Sequence, residues 1–437
     1  DGFDVVIGNP PYIRLQKTDG LHANRYEPCI YKTFDRDGDI YCLFYEKGYS
    51  LLKQNGVLCY ITSNKWMRAG YGDKTRYLIT KHTNPILLID FASVKIFEGA
   101  TVDTNILLFR KTIVPNHTTQ CVAFTKSQKK EVNNLYSFVE NQCVPYQFRE
   151  DGAWIVLDEM GKKIKDLIEE KGMALNKWNV SINRGLLTGY NKAFIIDEDT
   201  RNSILASCET SEERSLTESV IAPMVRGRDI YRYNYVWAHK YIINTHNGIR
   251  GIKPKVDINK FPALKAYLDS HWNKISRRGD KGDTPYNLRN CAYLEDFCKP
   301  KVMWKIIGCN INFAFDDSNM YCNNAVNIMT GDRSNMLQFV GLMNSKLFDW
   351  YLKVTTEAEV QGGGVQLYVT TLEKTPLKLD FDSSFSETVE KRVKNLISDE
   401  EMDKAVFDVY GLSDTQRQYI LNSEEANRVV VEVDDDE

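Results

Sequence analysis

Apolar residues in the first 112 positions fall into short solid runs set between stretches with helical spacing. FDVVIG, VLCYIT, PILLIDFASV and TNILLFRK each read as a buried strand. DIYCLFYEKGYSLLKQ repeats its apolar positions at helical intervals and stops at Asn55-Gly56, a helix C-cap signal. KTRYLITKH reads as a shorter helix. Strands joined by helices predict a mostly parallel α/β sheet over residues 1–112.

The pattern then changes. Residues 113–145 turn polar and irregular (PNHTTQ, KSQKKEVNN), as expected of a linker or peripheral segment. From 146 to 437, helices such as EMGKKIKDLIEEKG, SNMLQFVGLMNSKLFDWYLKVT and ETVEKRVKNLI mix with short strands: NRGLLTGYNKAFIID, YRYNYVWAHKYIINTHNG, PKVMWKIIG and NINFAFDD. That mixture predicts an α+β domain, and no internal repeat stands out.

Charge sharpens this division. The chain as a whole carries a net charge of −3, but Met224–Lys305 has 17 Lys and Arg against 7 Asp and Glu. Asp380–Glu437 reverses the balance, 6 against 17, and ends in EVDDDE, expected to be disordered. A basic middle calls for an anionic partner, or for the acidic end as a solvated counterpart. The ten cysteines include no C-x-x-C pair, so neither a zinc nor a redox motif is supported, and reduced thiols in the cytoplasm are expected. No apolar run has the length of a membrane span. A strand that opens at Phe3, almost directly after Asp1, reads as part of something longer.

The chemistry concentrates in Asn9-Pro10-Pro11-Tyr12, directly after the first strand. Ligands in open α/β sheets collect at the carboxyl ends of strands. Asn9 offers a side-chain carbonyl oxygen, and Pro10 a main-chain carbonyl whose direction its ring helps to fix. Two such acceptors hold both hydrogens of one NH2 group and free its lone pair for attack. Tyr12 adds an aromatic face for a planar substrate.

NPPY after a hydrophobic strand resembles the catalytic motif of S-adenosylmethionine-dependent amino-methyltransferases. DNA adenine-N6 and protein glutamine methyltransferases share the four letters. DIYCLFYEKGYSLLKQNGVLCYITSNKWM and SVKIFEGATVDTNILLF resemble the segments that follow it in TaqI-type adenine methyltransferases and type IIG restriction-modification enzymes. INRGLLTGYNKAFIID, APMVRGRDIYRY, TPYNLRNCAYLEDFCKPKVMW, GGGVQLYVTTLEKTPL and AVFDVYGLSDTQRQYIL resemble the TaqI-like specificity domain of the same enzymes.

The resemblance implies the second half of a Rossmann-like methyltransferase sheet, followed by a target-recognition domain. It implies a catalytic Asn9-Pro10-Pro11-Tyr12, a flipped adenine stacked between Tyr12 and Phe97, and Phe44 against the adenine of S-adenosylmethionine. Core packing is the competing reading for both phenylalanines. No glycine-rich cofactor loop and no PD-ExK nuclease motif occur in the chain, so weak cofactor binding and no methylation by these 437 residues alone are expected.

In the second domain, Arg226, Arg228, Lys274, Arg277, Arg278 and Lys281 are the expected DNA contacts, with Tyr231, Tyr233, Tyr235 and Trp237 as one buried face of a strand. The expected partner is double-stranded DNA and the expected state a monomer. A protein glutamine methyltransferase and a non-catalytic DNA-recognition module remain the alternatives.

Overall fold

A computed structural model describes residues 2–16, 21–26, 31–92, 94–97, 102–150, 152–308, 310, 312–356, 365–378, 383–423 and 426. The acidic EVDDDE end and the three glycines of GGGVQLY lie outside the described residues. The chain divides into two compact units, Asp1–Asp166 with Val354–Glu357, and Leu167–Lys353 with Ala358–Glu437.

The first unit is built on a six-stranded sheet in the order β1-β2-β4-β3-β5-β6. Its strands are β1 (Phe3–Gly8), β2 (Leu52–Ser63), β3 (Asn84–Asp90), β4 (Thr104–Arg110), β5 (Thr119–Ala123) and β6 (Val144–Tyr146). Helices α1 (Leu21–Arg25) and α2 (Ile40–Leu51) lie between β1 and β2 in the chain, and α3 (Asp73–His82) between β2 and β3. β1 runs parallel to β2, and β3 parallel to β5. β4 is inserted antiparallel to both β2 and β3. The sheet is therefore α/β but mixed. A parallel return needs a crossover, usually a helix, and the described residues between Asp90 and Thr104 contain none.

Three further expectations change. β1 is not buried: Phe3, Val5 and Ile7 are 60%, 61% and 77% exposed, and among the described residues β1 ends the strand order and pairs with β2 alone. Asn55-Gly56 does not cap α2, which ends at Leu51 and passes straight into β2. Asn55 takes a φ of 64° inside the strand, where the pairing with β1 slips register. A Cβ on Gly56 would lie 2.8 Å from the Phe3 carbonyl oxygen, so this close approach needs glycine. Residues 113–145, expected as a linker or peripheral segment, carry β5, helix α4 (Leu135–Gln142) and most of β6, and so extend the sheet.

The second unit is α+β. One four-stranded sheet orders Tyr321–Cys322, Ile221–Val225, Lys240–Ile243 and Ile195–Asp197. A second orders Phe313–Asp316, Lys301–Lys305, Val326–Gly331 and Val180–Arg184, all antiparallel. A shared core joins them, including Met224, Ile242, Met303, Ala314 and Ile328. The expected helical run from Ser334 breaks into Arg333–Met343 and Lys346–Thr355. Asn344 causes the break: its side chain accepts from the Phe313 amide and donates to the Phe313 and Val340 carbonyls.

The aromatic run Tyr231–Trp237 is not a strand. It follows a short 3-10 turn with only isolated bridges, leaving Tyr233 fully buried and Tyr231 51% exposed. Among the described residues no helix is long and apolar enough to cross a membrane, and no His, Cys, Asp and Glu cluster is suited to a metal.

Candidate active site and nucleic-acid interface

β1, β2 and β3 point the same way, so the NPPY turn, Asn64 and Asp90 emerge at one edge of the sheet. Pro10 is buried and pins the turn, while Asn9 and Pro11 are exposed. Asn9 Oδ1 accepts from the Tyr12 hydroxyl at 3.0 Å. The half-buried Tyr12 ring meets Tyr41 edge-on at 6.1 Å and packs on the core beneath the sheet edge. Burial, and then the negative charge of Asp39, raise the Tyr12 phenol above its ordinary value, so it stays protonated and keeps its donor role. Asn9 Oδ1 retains a second lone pair, which with the Pro10 carbonyl leaves two acceptors for an amine.

The turn is held by a residue that sequence reading missed. Asp39 occupies the N-cap position of α2 without capping it through its side chain, and its Oδ1 instead accepts from the Ile13 amide at 2.8 Å. The Ile40 amide in turn donates to the Ile13 carbonyl at 3.0 Å. The first turn of α2 is thereby stitched to the residue after Tyr12.

A second missed group ties the loops that follow β2 and β3. Buried Asp90 accepts through Oδ1 from Asn64 Nδ2 and from the Ala92 amide, both at 2.9 Å, and Arg68 approaches Oδ2 at 3.8 Å. Next to it, Asn105 Oδ1 accepts from Thr62 at 2.9 Å and from the Trp66 indole at 3.2 Å. Thr62, Asn105 and Asp90 are register partners across β2, β4 and β3, a polar row no single segment reveals. Phe97 is half-buried on the segment that Asp90 starts. Phe44 departs from core packing: it is 37% exposed on α2, while Tyr41 and Tyr45 on the same helix are fully buried.

In the second unit the six expected DNA contacts separate by environment. Lys274, Arg277, Lys281 and Arg228 are exposed, Lys281 donating to the Ser276 carbonyl at 3.0 Å. Arg226 grips Asp229 through two side-chain bonds of 2.9 and 2.8 Å, and that bonding raises its pKa. Arg278 corrects the expectation. It is buried, its guanidinium lies 4.3 Å over the Phe194 ring, and it donates to the carbonyls of Thr188, Asp280, Pro285 and Asn287. Burial lowers its pKa to about 10. With its terminal nitrogens committed to the chain, Arg278 organises the loop and does not face a phosphate.

Comparison with known proteins gives two family matches along the chain. Residues 1–97 match the Eco57I restriction-modification methylase family, and residues 222–377 the TaqI-like C-terminal specificity domain. The type II methyltransferase M.BstVI of Geobacillus stearothermophilus is 22% identical over 96% of this chain and 75% of its own length. M.PaeR7I of Pseudomonas aeruginosa is 22% identical over 95% of this chain and 71% of its own. Among solved structures, the type IIL restriction-modification enzyme MmeI, in complex with DNA, aligns with a TM-score of 0.52 at 13% identity. That alignment takes in 96% of this chain and 57% of MmeI, and shows likeness of fold. The chain is therefore similar over residues 1–97 to Eco57I restriction-modification methylases and over residues 222–377 to the TaqI-like C-terminal specificity domain, and the relatives it resembles along most of its length include type II methyltransferases.

Proposed function

We propose that this chain contributes the target-amine half of the active site and the DNA-recognition domain of a DNA adenine-N6 methyltransferase. One observation carries the reading: exposed Asn9 at the carboxyl end of β1, its oxygen held by the protonated hydroxyl of Tyr12, whose ring packs half-buried against the core. Adenine leaves the duplex stack and lies on Tyr12, with Phe97 as the opposing wall. Asn9 Oδ1 and the Pro10 carbonyl accept from the two N6 hydrogens and turn the lone pair toward attack. Asp39 keeps the turn in place, and Asp90 fixes the start of the Phe97 segment. Rate comes from orientation and fixed acceptors, without a covalent enzyme intermediate.

S-adenosylmethionine, when bound, supplies the electrophilic methyl group. The exposed Phe44 face of α2 is the surface this reading offers to its adenine, and no G-x-G-x-x-G run occurs in the sequence. The chain's own share is therefore the amine clamp and the DNA grip.

Fluorescence anisotropy with duplex DNA across a salt series tests the DNA half. Affinity that falls linearly on a log–log plot against salt is the expected result, since displaced counterions drive phosphate binding. No binding at low salt sinks the reading.

A further inference from the structure

The basic segment holds a hairpin that neither the methyltransferase chemistry nor the motif resemblance uses. The Ile249 amide donates to the Lys253 carbonyl at 2.8 Å, and the Lys253 amide returns to the Ile249 carbonyl at 2.9 Å. This pair closes a tip of only three residues, Arg250-Gly251-Ile252. Gly248 and Gly251 take φ of 75° and 76°. A Cβ at Gly248 would lie 2.4 Å from the Lys253 carbonyl oxygen, so the hairpin needs glycine there.

The base of the hairpin is anchored as firmly. The Asn247 side chain accepts from the Asp283 amide at 2.8 Å and donates to the Asp283 carboxylate at 3.0 Å. Lys255 pairs with the same carboxylate at 2.8 Å. Between these anchors the hairpin borders a cavity of about 810 Å³, whose other lining includes Asn290 and Cys291.

On this rigid support Ile252 is 74% exposed. A single exposed aliphatic residue is ordinary. This one stands out by its setting, on a fixed tip with exposed Arg250 and Lys253 to either side, inside the stretch of highest positive charge in the chain. An apolar tip between cations matches a duplex, whose phosphates flank a stack of flat apolar faces. Proteins that kink DNA place Ile, Leu, Phe, Met or Pro between base steps in this way, with cations on the backbone alongside.

We propose that the Arg250–Lys253 hairpin is a DNA wedge: Ile252 inserts at a base step while Arg250 and Lys253 hold the adjoining phosphates, bending the duplex. This rests on the reading of the chain as a DNA-binding protein and adds to it a local deformation with named residues.

The test uses the 437-residue chain and mixed-sequence duplexes carrying a donor and an acceptor dye at opposite ends. Saturating protein should raise energy transfer as the ends approach. Ile252→Ala, which shortens a largely exposed side chain, should bind with an unchanged salt slope and lose that rise. Arg250→Ala/Lys253→Ala should lower the log–log salt slope by about two. A rise that survives Ile252→Ala overturns the wedge, as does an unchanged slope in the double variant, while leaving DNA binding intact. Failure of the wild-type chain to bind any duplex overturns the wedge and the DNA reading together.

Discussion

The Tyr12 hydroxyl donates to Asn9 Oδ1 at 3.0 Å and approaches the Ile61 carbonyl at 3.5 Å, so one side chain spans the NPPY turn and β2. The tyrosine thus offers two separable things, a ring and a hydroxyl. In cells carrying the gene that encodes this chain, Tyr12→Phe should keep N6-methyladenine within about tenfold of wild type, because Pro10 and Asp39 still hold the turn. Tyr12→Ala removes the platform, and a stacked base is worth roughly 1–3 kcal/mol, a loss of about five- to 150-fold. Mass spectrometry of digested DNA reads both. Equal losses would mean that the ring is not a platform.

Arg278 and Arg277 are neighbours with opposite expected roles. Arg278→Ala removes a donor from four carbonyls and empties a buried site, so the second unit should lose several kcal/mol, each buried acceptor left unpaired costing about 1–3 kcal/mol. Thermal melting reads that loss. Lys274→Ala/Arg277→Ala alters only exposed side chains and should leave melting unchanged while weakening duplex binding and lowering its salt slope. A stable, fully folded Arg278→Ala variant would contradict the structural role.

Stability should carry the signature of Asp403. This buried carboxyl on the helix Asp399–Tyr410 accepts from the Lys346 amide at 2.8 Å, yet burial raises its pKa to about 6. The unfolded value is about 3.9. Between the two the folded chain keeps a proton that the unfolded chain has lost, so the folded state weakens as pH rises from about 4 to about 6. The share lost is on the order of 2–3 kcal/mol, and it is fully present only below pH ~4. Urea midpoints of wild type and Asp403→Asn, compared across that range, should converge at low pH and separate as pH rises, with the variant the more stable. Parallel curves would contradict the assignment.

The sequence disclosed what is local. Every strand of the first 112 residues was legible, as was the NPPY turn, because hydrophobic runs and prolines write themselves into short segments. What depended on neighbours was not. Phe3, Val5 and Ile7 have the letters of a buried strand, but burial is a property of what lies alongside, and among the described residues β1 pairs with β2 alone. β4 reads as a strand either way, and only its pairing reveals its direction. Asn55-Gly56 signals positive φ correctly, yet a helix cap and a strand irregularity use the same residues. Arg278 looks like its exposed neighbours because its acceptors come from Thr188 and from the loop 280–287. Asp39 and Asp90 were missed for the same reason, since each acts on a segment distant in the chain or on a loop end.

The central claim is that Asn9 is half of an amine clamp. Its most direct test is the N6-methyladenine content of DNA from cells carrying the gene with Asn9→Ala, alongside duplex binding by the purified variant. Removing a fixed acceptor from a reacting group costs about a hundredfold or more in rate. Methylation should fall near background, with duplex affinity and melting temperature unchanged, because Asn9 is exposed and among the described residues its side chain bonds to Tyr12 alone. Wild-type levels of N6-methyladenine in the Asn9→Ala strain would contradict it.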